Sequence, residues 1–198
     1  MKIVIIPGVG FHEHKENHLY FKDQISSKIP NCEIEIFYWQ HNLSIPPIPN
    51  PYKTVRKWVC EIILDFQHVI KYAQQTEVPS ADYYIGHSAG SILALVQENP
   101  SCVTFGSPAV LVDIIRDKDE NEISISSVIG QKKSILNIVN KYDQLAYNIP
   151  FDNVENYVYA GPWWNFNAYN PYVAHYDYWR NPEIIKKIVN SLISIDQS

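Results

Sequence analysis

No run of basic residues occurs anywhere in this sequence. Lys and Arg total 16 against 21 Asp and Glu, for a net charge of −5. A nucleic-acid surface needs a basic stripe, so nucleic acid is excluded as an expected partner, and so is an anionic membrane surface. Cysteine is scarce as well, at 3 residues (Cys32, Cys60, Cys102). The number is odd, C-x-x-C is absent, and the spacing does not suit a metal. A disulfide framework is therefore not expected, and a reducing, cytoplasmic compartment is the simpler setting. No stretch of about 20 apolar residues exists that would cross a bilayer. The early run Ile3-Val4-Ile5-Ile6 stops at Pro7-Gly8, too soon for a signal-peptide core. Internal repeats and low-complexity tracts are missing too. Nothing in the pattern calls for a metal or cofactor, and nothing in it sets an oligomeric state.

What is present suits an ordinary globular chain. The 198 residues, 46% of them hydrophobic, are expected to form one domain over 1–198 with a sizeable core. Short apolar or β-branched runs at 2–6, 34–39, 83–86, 102–105, 135–139 and 154–160 read as strands. Amphipathic spacing predicts helices over about 14–28 and 55–73, another running on from Ser88, and a last one opening at Asn181-Pro182. Strands alternating with helices imply an α/β fold. Its mostly parallel sheet of about five to six strands would carry helices on both faces, joined by right-handed crossovers. Residues 109–131 break that rhythm with a charged stretch and read as a possible flap.

The chemistry concentrates at Gly86-His87-Ser88-Ala89-Gly90, a G-x-S-x-G between a strand and a helix. That arrangement sets the serine on a tight turn with Oγ exposed at the sheet's C-terminal edge, and glycines flank it because neighbouring backbone comes close. A serine hydroxyl needs a base, and the base needs an orienting acid. In the expected order of serine, acid, histidine, His175 is the only histidine after Ser88. The acid should follow a late strand, which favours Asp143, with Asp152 next. Asp177 lies too near His175 in sequence to orient the ring easily. The oxyanion donors would be the N–H of Ala89 and an N–H from the loop after the first strand, Val9 first and Gly10 next. His87 is expected to point away from Oγ and to be structural.

The segments Pro7-Gly8-Val9-Gly10, Gly86-His87-Ser88-Ala89-Gly90, Phe105-Gly106-Ser107-Pro108, Asn140-Lys141-Tyr142-Asp143 and His175-Tyr176-Asp177-Tyr178-Trp179 resemble an α/β hydrolase. Their order and spacing resemble small lipases and esterases. G-H-S-x-G followed by a T-F-G-x-P strand end is similar to class 3 lipases, which also have N-x-x-D at the acid and a late histidine. The resemblance implies a minimal α/β-hydrolase fold, Asp143 and His175 as acid and base, and a small-molecule ester or lipid as substrate. The family's usual second glycine after the elbow is Ser91 here.

The expected activity is hydrolysis of carboxylic esters by an activated serine. A thioesterase, acyltransferase or peptidase would use the same residues, and a catalytically silent binding protein of the same fold is the alternative from another class. Phe11, His12, Trp163 and Trp164 are candidate pocket residues. His12, His14 and His18 cluster after the first strand. His14-Lys15-Glu16-Asn17-His18 is not H-E-x-x-H, so these histidines are expected to be solvated at the site's rim and not to bind metal.

Overall fold

The computed structural model describes residues 1–8, 15–39, 75–98, 101–110, 129, 132, 134–160 and 171–196. The described elements run in chain order as β1 (Lys2–Ile6), α1 (Lys15–Ser26), β2 (Glu33–Ile36), β3 (Tyr83–His87), α2 (Ala89–Val96), β4 (Ser101–Phe105), β5 (Ser134–Asn140), β6 (Val154–Tyr159), α3 (Pro171–Tyr176), a 3-10 turn (Asp177–Trp179) and α4 (Pro182–Asp196). The helix expected over 55–73, nearly all of the flap at 109–131, and Val9, Phe11, His12, His14, Trp163 and Trp164 lie outside the described residues.

The six strands form one sheet in the order β2-β1-β3-β4-β5-β6, and every pairing is parallel. Parallel strands demand crossovers and cover on both faces. Alternation along each strand supplies the two faces. Ile3 and Ile5 of β1 join Ile85, Val103 and Ile138 beneath α1 and α4. Val4 and Ile6 join Tyr84, Cys102 and Ile135 beneath α2. The order and sense of the strands make this an α/β sheet consistent with a minimal α/β-hydrolase fold.

The strand order reverses direction between β1 and β3, because β2 lies outside β1 while β4 to β6 extend the other way. In open parallel sheets the crevice beyond the strands' C-terminal ends at such a reversal is where ligands bind. Pro7-Gly8 leaves β1 there, and Ser88 leaves β3 there. The topology alone thus marks the crevice that the G-x-S-x-G turn borders.

Some boundaries differ from the expectation. The second strand ends at Ile36, not at 39. Among the described residues it is an edge strand paired only with β1, and edge strands tend to be short. Trp39 instead turns inward and donates Nε1–H to the Pro7 carbonyl at 2.8 Å, anchoring the chain where it leaves β1. The last helix starts as expected, with Asn181 Oδ1 accepting the N–H of Glu183 at 3.0 Å.

A polar rung crosses the far half of the sheet. Thr104 of β4, Asn137 of β5 and Asn156 of β6 are in register. Thr104 donates Oγ1–H to Asn137 Oδ1, and Asn137 Nδ2 donates to Asn156 Oδ1 and to the Tyr147 carbonyl, each at 2.9 Å. Asn137 and Thr104 are fully buried, so loss of the Asn137 side chain strands the Thr104 hydroxyl away from water. Asn137→Ala should lower the unfolding free energy by about 2–4 kcal/mol. In urea titration the midpoint should fall with an unchanged slope, and a change below about 0.5 kcal/mol would show that water reaches the rung.

Candidate active site

Ser88 caps α2 with φ 52° and ψ −129°. A non-glycine residue in the left-handed half of the map costs about 1–3 kcal/mol and persists only where its surroundings fix it. The fixing contacts are backbone on backbone. A Cβ on Gly90 would run into the Ile6 carbonyl oxygen and lie 2.5 Å from that of Pro7, while one on Gly86 would lie 2.5 Å from Ser91 Cα. The motif's two glycines are therefore required by close approach. Ser88 N–H donates to the Phe105 carbonyl at 3.1 Å, which ties the turn to the end of β4.

Ser91 stands where the hydrolase pattern has a glycine, and its hydroxyl is used. It donates to the Ser88 carbonyl at 2.5 Å. Ser107 Oγ, which accepts the Ala109 N–H at 3.3 Å, lies 2.7 Å from Ser91 Oγ and donates its own proton there. Both side chains are buried. This relay holds the strained carbonyl from beneath.

Asp143 follows β5 in a tight turn, and its side chain is fully buried. His175 Nδ1 lies 2.8 Å from Asp143 Oδ2. With a carboxylate as partner, Nδ1 carries the proton and Nε2 is left with its lone pair. The other carboxylate oxygen accepts the Leu145 N–H at 2.9 Å. Asn140, the last residue of β5, donates Nδ2–H to the Ala174 carbonyl at 3.2 Å, binding the acid's strand to the helix that carries His175.

Among the sequence's candidates, the structure brings Asp143 and His175 into direct contact and sets Ser88 and Ala89 at the end of β3. It leaves the Ser88–His175 hydrogen bond unmade. Asp152 and Asp177 do not touch the ring: Asp177 Oδ2 instead accepts from Tyr159 at 3.3 Å and from Asn181 at 3.2 Å. Ala89 opens α2, so its N–H is one of the helix's first-turn donors with no intrahelical partner.

His18 corrects an expectation, because it is fully buried and not solvated. On α1 it shares the inner face with Phe21 and Ile25, three and seven residues further on. Its ring lies 4.4 Å from Trp179, and Nδ1 is 3.4 Å from Tyr38 Oη. Among the described residues, no group of three or more His, Cys, Asp or Glu could hold a metal. No described helix is long and apolar enough to cross a membrane.

Two contacts were not anticipated. His87 Nε2–H donates to the His175 backbone carbonyl at 2.9 Å, with the ring centroids 4.8 Å apart. Tyr178 Oη donates to Asp143 Oδ2 at 2.9 Å. The spacing of His175 and Tyr178 is the available signal, since residues three apart on a helical turn share one side.

No family model and no curated protein sequence matches the chain. Among solved structures, "Est1E from Butyrivibrio proteoclasticus" is similar over 98% of this chain and 88% of its own, with 10% sequence identity and a TM-score of 0.49.

Several buried groups near the site hold their protons tightly. Burial, with the nearby Asp143 charge, pushes the Tyr178 hydroxyl well above its usual value. Burial, with Asp177, does the same at Tyr159. On the other face, burial pushes the Cys102 thiol up to about 12. Raised folded values mean that the stability they bring is whole below the unfolded values, about 8.5 for cysteine and 10 for tyrosine, and is lost as pH rises through the folded ones. Tyr38, by burial, and Tyr157, by its hydrogen bond to Glu183, are raised too, whereas Lys132, whose ammonium is disfavoured by burial, works in the opposite sense. The urea midpoint should therefore fall as pH rises from about 9 toward 12. A flat profile over that window would mean that these side chains are solvated.

Proposed function

We propose that this protein is a serine hydrolase that cleaves carboxylic esters through an acyl-enzyme. The observation that carries the proposal is the buried Asp143–His175 pair, at 2.8 Å, in a chain whose G-x-S-x-G serine is held at φ 52° after β3. Buried carboxylates and imidazoles are costly to desolvate, and a strained serine is costly to maintain. Catalysis accounts for both costs.

In the proposed mechanism Ser88 Oγ attacks the ester carbonyl carbon and His175 Nε2 takes its proton. Asp143 holds the imidazole in the Nδ1–H tautomer and stabilises the imidazolium that forms. The Ala89 N–H, at the positive end of α2, donates to the developing oxyanion, and Val9 N–H is assigned as the second donor. The imidazolium then protonates the departing alkoxide, leaving an acyl-Ser88. Water, deprotonated by His175, repeats the sequence and releases the acid. Phe11, His12, Trp163 and Trp164 are assigned to the substrate pocket. The substrate is a small ester or lipid, and no cofactor takes part. Thioesters and amides fit the same machinery, and a panel of acyl substrates separates them.

The unmade Ser88–His175 hydrogen bond favours a second reading, a silent binding protein of the same fold. Hydrogen bonds of this kind are often long in free enzymes and tighten with substrate, so the open contact alone does not decide. Intact-mass labelling with a fluorophosphonate does. One adduct per chain is expected on the wild type and none on Ser88→Ala or His175→Ala. A folded wild type that takes no adduct would leave the binding-protein reading. Asp143→Asn, which inverts the tautomer preference, should slow labelling by about 10³–10⁴-fold without unfolding the chain.

A further inference from the structure

Asp143 Oδ2 is shared. It accepts one hydrogen bond from His175 Nδ1 at 2.8 Å and a second from Tyr178 Oη at 2.9 Å. Tyr178 is itself fixed, because its oxygen accepts the Asn140 N–H at 2.9 Å. Its ring is fully buried, with Phe105 5.6 Å and Tyr159 5.7 Å away. The hydroxyl's geometry leaves it one role toward the carboxylate, that of donor. We propose that Tyr178 is a positioning residue that draws part of the Asp143 carboxylate charge away from His175 and thereby sets the basicity of the imidazole. The proposal rests on the hydrolase reading for its catalytic consequence, but not for its electrostatics.

His175 and Tyr178 compete for a single carboxylate oxygen. A charge-assisted hydrogen bond to a buried carboxylate is among the stronger ones, and each donor lowers the electron density offered to the other. Burial keeps the Tyr178 proton in place at any ordinary pH, so the competition is constant. Removing the hydroxyl would concentrate the charge on His175, stabilise the imidazolium and favour the base's protonated form. Other groups facing the pair would be left as they are. These are His87 from β3, against the imidazole, Tyr176 on α3, and Tyr159 from β6, bonded to Asp177.

The test is the pH dependence of fluorophosphonate labelling in wild type and Tyr178→Phe, with the His175 ring signal followed by NMR in both. In Tyr178→Phe the acid limb of the labelling rate and the ring's titration midpoint should both move to higher pH, by about 0.5–1 unit. Above that limb the rate should stay within a few-fold of wild type. A tyrosine that only packs would change the melting temperature and leave both curves in register, which would overturn the proposal. Replacement of Tyr178 by 3-fluorotyrosine keeps the ring and the hydrogen bond but strengthens the donor. It should move both curves to lower pH, and it decides the matter if Tyr178→Phe does not fold. A wild type that takes no probe would sink the hydrolase reading, and Tyr178 would then be judged on the ring signal alone.

Discussion

The site depends first on one backbone passing another without side chains between them. Gly90, in the first turn of α2, lies against the Ile6 and Pro7 carbonyls at the end of β1. That approach fixes how closely the helix can dock on the sheet. The docking in turn fixes the angle at which β3 must turn into the helix, and a tight angle leaves Ser88 at φ 52°. The strain is local, but what over-determines it is spread widely. Trp39 holds the Pro7 carbonyl, Phe105 holds the Ser88 N–H, and Ser91 holds the Ser88 carbonyl. Each anchor comes from a different part of the chain, so the turn is a product of the assembled sheet and not of five residues acting alone.

The same logic governs the polar groups under that turn. A carboxylate, two imidazoles and a phenol lie buried around Asp143, His87, His175 and Tyr178. Burial of such groups is tolerated where their donors and acceptors are paired. The pairs here connect secondary elements and do not merely satisfy themselves. Asn140 joins β5 to α3, His87 joins β3 to α3, and Tyr178 joins the turn after α3 back to Asp143. Edge-on aromatic packing completes the floor, with Trp179 against Phe21 at 87° and against Phe105 at 83°. The short helix bearing His175 has only six residues. Too short to be stable by itself, it owes its position to these ties.

Periodicity made the sheet legible. Ile3 to Ile6, the run into Gly86, and the run ending at Asn140 are continuous apolar strands because both faces of a parallel sheet are covered, and such runs stand out from their flanks. The elbow was legible because its glycines report a steric requirement. Asp143 and His175 were reached through chain order, and their contact is a matter of geometry that no spacing states. Two kinds of feature stayed hidden. The first is the long-range partner: His87 meets His175 across 88 positions, and nothing local in either segment encodes the meeting. The second is the buried polar residue whose polarity masks its location, as with His18, which a composition-based reading sends to the surface. Its spacing of three residues to Phe21 and seven to Ile25 was the contrary signal. The end of β2 was missed because Phe37 and Trp39 suit a strand yet serve other packing.

Ser88 and His175 are each held by partners from other elements. His175 is fixed at its backbone by His87 and at its ring by Asp143. The Ser88 backbone is fixed by Phe105 and Ser91. Moving either backbone would break buried hydrogen bonds, at about 1–3 kcal/mol for each group left unpaired, so the spacing between the two residues is set by the assembled sheet.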